Sequence, residues 1–402
     1  MTFTSRSRSL RHGRGLTALT LTSATAVVAL LLAAGPAAAE PIGGPNLTGY
    51  DVIVDPGKQA SNLPNVAAST WVLADLDTGA ILAAQGPHIQ RSPASVLKTL
   101  TLLTLVQRHD PATVYTTTFD DVTVDGSRVG IVENAPYSVS DLFYGLMMQS
   151  GNDCARSLAM VNGGLEKTVS QMNDEAQRLQ AYDTVAKTPH GLEAPGQVTS
   201  AYDLALISRA GLNRPDFFDY VNKINYEMPG FLAEKEGDPR STFTIATQNP
   251  LFINDYPGAI GVKTGWTDEA GRTFVGAAER DGRRLIVTLM NVQDDIINVA
   301  APLLDWGFAN ADELTPVGYL VDPVSADATA STTAKPAGGD SAAPSSDKPT
   351  PTGEITAATQ TSTSVNTGWL WGFGAVVVLA LFLLGAGIRV WRKPVPAARH
   401  RR

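Results

Sequence analysis

Apolar residues follow three patterns along the chain. Residues 96–106 are apolar on nearly every side of a helical projection, which predicts a helix buried on all faces. Short apolar runs at 67–84 and 258–290 are broken by turn residues and favour antiparallel strands. Two longer apolar runs lie near the ends of the chain. We therefore expect a folded middle region that combines a sheet with helices.

The strand signals are accompanied by tight-turn residues. Asp77-Thr78-Gly79 divides the first strand pair, and Asp281-Gly282 divides the last two of three consecutive strands. Residues 303–308 follow these strands and suit a closing helix packed on the sheet. The first strands and this last helix would then pack together in a sheet lobe.

Helix starts are marked by capping residues. Ser92 before Pro93 is typical of an N-cap and first helical residue. Capping patterns at 138–141 and 199–203 predict two further helices, and 165–179 a third. Helices between two groups of strands indicate an α/β (α+β) fold with a sheet lobe and a helical lobe.

The N-terminal apolar run predicts a secretory signal. Arginines precede it, and Ala37-Ala38-Ala39 follows it, which is the order of a signal peptide cleaved after residue 39. The expected product begins at residue 40, and its folded domain extends over 40–322.

The C-terminal apolar run predicts a membrane anchor. Residues 369–388 are uninterrupted apolar sequence within an expected transmembrane helix at 368–391, and twenty helical residues span about 30 Å. The basic tail, 392–402, is expected in the cytoplasm by the positive-inside rule. Residues 323–367 are rich in Ala, Ser, Thr and Pro and predict an unfolded tether. The domain would thus be held outside the cell membrane by a single span.

Composition excludes several classes of function. The 402 residues carry a net charge of -8, and no basic patch favours nucleic acid. Cys154 is the only cysteine, which excludes an intramolecular disulfide and a multi-cysteine zinc site. Neither H-E-x-x-H nor G-x-S-x-G occurs. A zinc peptidase or a histidine-based serine hydrolase is therefore not expected.

The predicted buried helix carries the first candidate chemistry. Ser95 and Lys98 are three residues apart, so their side chains share one helix face. Burial lowers the pKa of a lysine, and a neutral amine beside a hydroxyl forms a nucleophile and its base.

Two further motifs follow in chain order. Ser150-Gly151-Asn152 lies at a predicted helix-to-helix turn, and Lys263-Thr264-Gly265 lies on a predicted strand. S-x-x-K, S-x-N and K-T-G occur together in penicillin-binding proteins and related β-lactamases. Each motif alone is weak evidence, but the ordered set is strong.

The chain resembles the low-molecular-weight penicillin-binding proteins that are D-alanyl-D-alanine carboxypeptidases, in particular actinobacterial ones. The resemblance covers 67–308 and also rests on Thr188-Pro-His-Gly-Leu192 and Thr247-Gln-Asn-Pro-Leu251. It implies a penicillin-binding-protein/β-lactamase-like fold, in which an antiparallel sheet is flanked by helices beside an all-helical lobe. The active site would lie in the groove between them.

The resemblance also implies a role for each motif residue. Ser95 would attack the peptide carbonyl to form an acyl ester, Lys98 would accept its proton, and Ser150 would relay a proton to the leaving amine. Substrate binding would involve Asn152, Lys263, Thr264, Gly265 and the backbone N–H of Trp266, which with that of Ser95 would hold the oxyanion. No metal or cofactor is expected.

The implied substrate is a peptidoglycan stem peptide ending in D-Ala-D-Ala, with β-lactam antibiotics as covalent inhibitors. A D,D-endopeptidase, a transpeptidase or a weak β-lactamase would use the same residues, and a penicillin sensor could keep the groove without turnover. An E-x-x-L-N loop, typical of class A β-lactamases, is absent between Ser150 and Lys263. Many relatives hold the substrate carboxylate with an arginine, where this chain has Met290-Asn-Val-Gln-Asp294.

Overall fold

The computed structural model describes residues 40–324, with the exception of Gln59 and Glu236. Within this range, an antiparallel sheet forms the centre of the molecule, with the strand order β1-β3-β2-β10-β9-β8 and with β11 paired to β3. Its strands are β1 Val52–Val54, β2 Ala68–Asp75, β3 Ala80–Gln85, β8 Ala259–Thr267, β9 Gly271–Arg280, β10 Arg283–Val292 and β11 Gly318–Tyr319. This confirms both predicted strand groups, and β8 lies at the edge of the sheet.

Most of the helices lie between β3 and β8 in the chain and form the second lobe, whereas the last helix packs on the sheet. They are α1 Lys98–Val106, α2 Phe119–Val122, α3 Val139–Met148, α4 Asn152–Val161, α5 Leu165–Arg178, α6 Ala201–Leu212, α7 Pro215–Val221, α8 Pro250–Ile253 and α9 Ile296–Asn310. Ser138 and Ser200 cap α3 and α6 as predicted, each accepting a hydrogen bond from an aspartate N–H three residues later. The closing helix, α9, begins seven residues earlier than the sequence indicated.

The start of the buried helix differs from the prediction. Ser92 is not its cap, because Ser92 Oγ donates to Glu269 Oε1 at 2.7 Å. Residues Ala94–Leu97 instead form a 3₁₀ turn, and the α-helix begins at Lys98. All nine residues of α1 are buried, as the apolar pattern predicted.

Two small hairpins lie outside the main sheet. One pairs β4 Val114–Thr116 with β5 Pro136–Ser138, and the other pairs β6 Asn225–Pro229 with β7 Thr242–Ala246. The second hairpin has no counterpart among our predictions. The segment after β7 contacts the end of α3, just before the motif turn, since Gln248 N–H donates to the Met148 carbonyl at 3.2 Å.

Alternate residues of β10 divide the hydrophobic core between the two faces of the sheet. Leu285, Val287 and Leu289 pack into the cluster that includes α9, whereas Ile286 and Met290 face the cluster around α1 and α6. This period of two is the expected geometry of a strand covered on both sides. The sheet is therefore the middle layer, and the face toward α1 and α6 supports the site.

No helix within 40–324 is long and apolar enough to cross a membrane. The predicted signal at 1–39 and the predicted tether, span and tail at 323–367, 368–391 and 392–402 fall outside the described residues, apart from Pro323 and Val324. These assignments stay predictions.

Candidate active site

Ser95 and Lys98 meet at the junction of the 3₁₀ turn and α1. Lys98 Nζ donates to Ser95 Oγ at 3.0 Å, to Asn152 Oδ1 at 2.7 Å and to the carbonyl oxygen of His190 at 2.7 Å. When Lys98 is charged, these three acceptors match the three N–H groups of its ammonium. When Lys98 is neutral, its amine has a lone pair in place of one N–H and can present it to the Ser95 hydroxyl. The predicted pair is therefore in contact, and a second motif and a loop hold the amine in place.

The surroundings of Lys98 favour its neutral form. Its side chain is fully buried. Burial, and then the positive charge of Lys263, lower the pKa of Lys98 well below its usual value, against a smaller opposing effect of Asp153. An amine with a lowered pKa can accept a proton near neutral pH.

Lys263 reaches the same centre from β8. It is 1% exposed, and burial lowers its pKa to about 7. Its Nζ donates to the carbonyl oxygen of Thr264 at 2.7 Å. Two buried amines near one another repel when both are charged, so one proton between them is favoured.

The second motif lies between α3 and α4. Ser150 has a φ of 59° and is 5% exposed. Asn152 is the first residue of α4, and its Nδ2 donates to the Asp125 carbonyl at 2.7 Å while its Oδ1 binds Lys98. Asn152 thus links the turn to Lys98, and Ser150 lies two residues before Asn152 in the chain.

The third motif lines the edge of the sheet. A Cβ atom on Gly265 would lie 2.8 Å from the backbone nitrogen of Ser95, which shows how closely β8 approaches the serine. Only glycine permits this approach. Thr264 is half-buried, and the Trp266 side chain is 65% exposed beside the groove. Since β8 is an edge strand, its outer backbone groups are free to pair with an extended peptide.

Two contributors to the site were missed by sequence reasoning. The His190 carbonyl binds Lys98, whereas its segment entered the sequence analysis only as a part of the family resemblance. Buried Asp153 accepts from the N–H groups of Val129 and Gly130 at 3.1 and 2.8 Å, which fixes the loop that covers the turn. The available signals were Thr188-Pro-His-Gly-Leu192 and an acidic residue in the first turn of α4.

The arrangement suits nucleophilic catalysis by a serine with a lysine base. Ser95 is half-buried at a groove, its hydroxyl contacts a buried amine, and the edge strand lies beside it. Within residues 40–324, no group of three or more His, Cys, Asp or Glu side chains is placed to hold a metal ion. The three predicted motifs therefore converge on one site.

Comparison with known proteins identifies the family. Residues 57–294 match the family model described as D-alanyl-D-alanine carboxypeptidase. The D-alanyl-D-alanine carboxypeptidase DacB2 of Mycobacterium tuberculosis is 36% identical over 260 residues, which cover 61% of this chain and 84% of the relative. The D-alanyl-D-alanine carboxypeptidase DacD of Escherichia coli is 34% identical over 262 residues, covering 61% of this chain and 64% of that relative, just under two thirds.

A solved structure supports the same assignment. The D-alanyl-D-alanine carboxypeptidase of Mycobacterium tuberculosis superimposes with a TM-score of 0.60 at 35% identity, over 68% of this chain and all of that one. The predicted penicillin-binding-protein-like fold, with its antiparallel sheet and helical lobe, is thereby confirmed. The chain belongs to the D-alanyl-D-alanine carboxypeptidase family of serine peptidases.

Proposed function

We propose that the chain is a serine-type carboxypeptidase that removes the terminal D-alanine from peptidoglycan stem peptides ending in D-Ala-D-Ala. The observation that carries this proposal is the contact between the fully buried Lys98 amine and the Ser95 hydroxyl at 3.0 Å. Family membership supplies the class of reaction. The role would be to remodel the cell wall and so influence cell shape.

In the first step, Ser95 Oγ attacks the carbonyl carbon of the penultimate D-alanine. Neutral Lys98 takes the hydroxyl proton, and the oxyanion is held by the backbone N–H groups of Ser95 and Trp266. The close approach of β8 at Gly265 supports this pairing, because it brings both backbone segments to the same place.

The leaving D-alanine needs a proton on its amine. Ser150 would relay that proton from Lys98, since it is buried and lies two residues before Asn152, whose side chain binds Lys98. Lys263 and Thr264 would bind the terminal carboxylate of the substrate, with Gly265 leaving room for the peptide. Water then hydrolyses the acyl ester on Ser95 and restores the enzyme. No step needs a metal or a cofactor.

β-Lactams are the expected covalent inhibitors. Their strained ring is an amide that acylates the same serine, and their carboxylate is placed like that of the D-alanyl terminus. Acylation by penicillin consequently reports on Ser95 and Lys98 without requiring the natural peptide.

We also propose that the domain works outside the cytoplasm and is attached to the cell membrane by a single span, with a cytoplasmic C-terminus. The support is the signal-like order of residues 1–39 and the apolar run with its basic flank at 368–402. A fusion of alkaline phosphatase after residue 322 should be active in cells, and an inactive fusion would contradict this orientation.

The experiment for the activity measures D-alanine released from diacetyl-Lys-D-Ala-D-Ala by the purified protein, with Ser95→Ala as the control. Release that is lost in the variant supports the carboxypeptidase. Penicillin labelling without release would instead favour an endopeptidase, a transpeptidase or a sensor, and rapid turnover of penicillin would favour a β-lactamase. Absence of both release and labelling would overturn the proposal.

A further inference from the structure

Asp153, the residue after the second motif, has no role in the steps above. Its side chain is fully buried, and it follows Asn152, which binds Lys98. Burying an acidic side chain is costly unless other groups bind it. The partners of Asp153 therefore indicate what this residue does.

The carboxylate of Asp153 is held by the backbone of a loop. Its Oδ1 accepts from the N–H of Val129 at 3.1 Å, and its Oδ2 accepts from those of Gly130 and Ile131 at 2.8 and 3.3 Å. Successive backbone N–H groups that converge on one point form an anion-binding site, which favours the charged carboxylate. Asp153 therefore fixes this loop and carries a negative charge in the interior of the protein.

The same loop, 125–131, orients the side-chain amide of Asn152. The Asp125 carbonyl accepts from Asn152 Nδ2 at 2.7 Å, and the Ser127 carbonyl accepts from the Asn152 N–H at 2.8 Å. Because a carbonyl can bind only the NH₂ end of the amide, the Oδ1 end faces Lys98 and accepts from its Nζ at 2.7 Å. A displaced loop would let the amide rotate and present its donors to the amine.

Asp153 also opposes the effect of Lys263 on Lys98. After the larger effect of burial, the charge of Lys263 lowers the pKa of Lys98, whereas the charge of Asp153 raises it. Two other titratable groups nearby are uncharged at neutral pH. Burial raises the pKa of the Cys154 thiol well above its usual value, and burial followed by the charge of Lys98 lowers the pKa of His190 to about 4. The basicity of Lys98 is thus set by one charge of each sign.

We propose that Asp153 is a positioning residue for acylation. It holds the loop 125–131 so that the amide oxygen of Asn152 faces Lys98. Its negative charge also stabilises the ammonium that forms when Lys98 takes the proton of Ser95. This inference rests on the proposed function, because it uses Lys98 as the proton acceptor, but it does not depend on the natural peptide.

The test measures the pH dependence of acylation by a fluorescent penicillin in Asp153→Asn. Loss of the negative charge should lower the pKa of Lys98, because Lys263 remains and disfavours a second ammonium. Since Lys98 is proposed to act in its neutral form, the acid limb of the pH–rate profile should move to lower pH. The plateau rate should fall by about ten-fold or more, because displacing a reacting group by 1 Å can cost about 100-fold. An acid limb or a plateau at the wild-type position would overturn the proposal.

Asp75→Asn is the matched control. Asp75 is also buried, and its Oδ1 accepts from the N–H groups of Asp77 and Thr78 at 3.0 and 2.9 Å. It lies at the end of β2 and contributes to none of the three motifs. This variant should therefore keep the acid limb and the plateau of the wild-type protein. An equal shift in Asp75→Asn would mean that the loss of any buried carboxylate has this effect, and would overturn the assignment to Asp153.

A second variant tests the loop and leaves Asp153 in place, so the proposal can be contradicted even where Asp153→Asn does not fold. Gly126 has a φ of 82°, and an added Cβ would lie 2.6 Å from Asn152 Nδ2. Gly126→Ala should therefore displace the amide and slow acylation by about ten-fold or more. Gly282→Ala has a similar φ of 79° with open space around it, so it bears the same backbone strain and should keep the rate. Equal rates in the two variants would overturn the link from the loop to Asn152.

Acylation by penicillin separates this inference from the proposed function. Failure to release D-alanine would contradict the carboxypeptidase, while the pH profiles of acylation would still show whether Asp153 acts on Lys98. Absence of acylation in the wild-type protein would overturn both.

Discussion

The carbonyl oxygen of His190 accepts a hydrogen bond from Lys98 Nζ at 2.7 Å. The same loop continues through residues 193–198, which line a cavity of about 620 Å³. Gly191 permits the contact, because its φ of 89° is one that side chains disfavour and an added Cβ would collide with the Ala94 carbonyl. The position of the Lys98 amine therefore depends on a loop ninety-two residues away in sequence.

Replacing Lys98 by arginine should abolish acylation while keeping a positive charge. A guanidinium does not lose its proton near neutral pH, so it cannot act as the base. We expect the second-order rate of acylation by a fluorescent penicillin to fall by about 10²–10⁴-fold, the usual contribution of a general base. Lys98→Met, which also lacks a base, should fall by a similar factor. A near-normal rate for Lys98→Arg would exclude Lys98 as the proton acceptor.

Lys263→Met should move the pH dependence of acylation. The charge of Lys263 is one cause of the low pKa of Lys98, so its removal should raise that pKa. Because Lys98 is proposed to act in its neutral form, the rising acid limb of the pH–rate profile should shift to higher pH. The position of this acid limb, and not the maximal rate, is the quantity to compare, since Lys263 is also proposed to bind the substrate carboxylate. An unshifted limb in stopped-flow acylation would show that the two amines are uncoupled.

The sequence revealed the parts of the site that are contiguous in the chain. Ser95 and Lys98 were predictable because helical spacing places them together, and Lys263-Thr264-Gly265 because a strand signal surrounds it. The contact between the His190 carbonyl and Lys98 was not predictable, because every residue has a backbone carbonyl and its residue type gives no sign of the contact. The start of α1 was predicted wrongly because the Ser92 hydroxyl donates a hydrogen bond to Glu269, 177 residues away, and does not cap the helix. In both cases a tertiary contact determined the structure, and the local sequence pattern does not record such a contact.

The same distinction holds for the fold. The strands β8, β9 and β10 were evident from short apolar runs separated by turn residues such as Asp281-Gly282. The hairpin of β6 and β7 was missed because its strands are joined by a long connection and each is only five residues long. The alternation of Tyr226 with Met228, and of Phe243 with Ile245, was too short to identify a strand. The existence of this hairpin depends on pairing between distant residues.

Gly265→Ala should impair acylation more than stability. The added methyl would press on the Ser95 nitrogen and on Thr273 Oγ1, forcing β8 away from the serine. Overpacking of this kind costs about 1–3 kcal/mol of unfolding free energy, whereas a displacement near 1 Å at the reacting groups can cost about 100-fold in rate.

Gly237→Ala is the control for this substitution. Gly237 has a φ of 93° and open space around it, so alanine there should cost stability through backbone strain but leave acylation intact. We expect thermal unfolding to show a comparable loss of stability in the two variants. Penicillin acylation should be slowed only in Gly265→Ala. Equal rates in the two variants would mean that β8 does not need to approach Ser95.

Asp203→Asn should change how stability depends on pH. Asp203 is buried at the start of α6, where its Oδ2 accepts from Thr184 Oγ1 at 2.6 Å and its Oδ1 has no hydrogen-bond partner in the described part of the chain. Burial raises the pKa of this carboxyl to about 7. Because the pKa of Asp203 is higher in the folded protein, the folded state keeps this proton at pH values where the unfolded chain has already lost it.

The sign of the effect follows from that difference. Stability from this proton is fully present below the unfolded pKa, near 4, and is lost as pH rises through about 7; the loss is on the order of 3–4 kcal/mol. Asparagine keeps an oxygen acceptor for Thr184 and does not ionise, so Asp203→Asn should flatten the fall in unfolding free energy between pH 4 and 7. Urea unfolding across this range is the measurement, with the exposed Asp174→Asn as a control that should keep the slope of the wild-type protein. A parallel slope in Asp203→Asn would show that Asp203 does not stay protonated in the folded state.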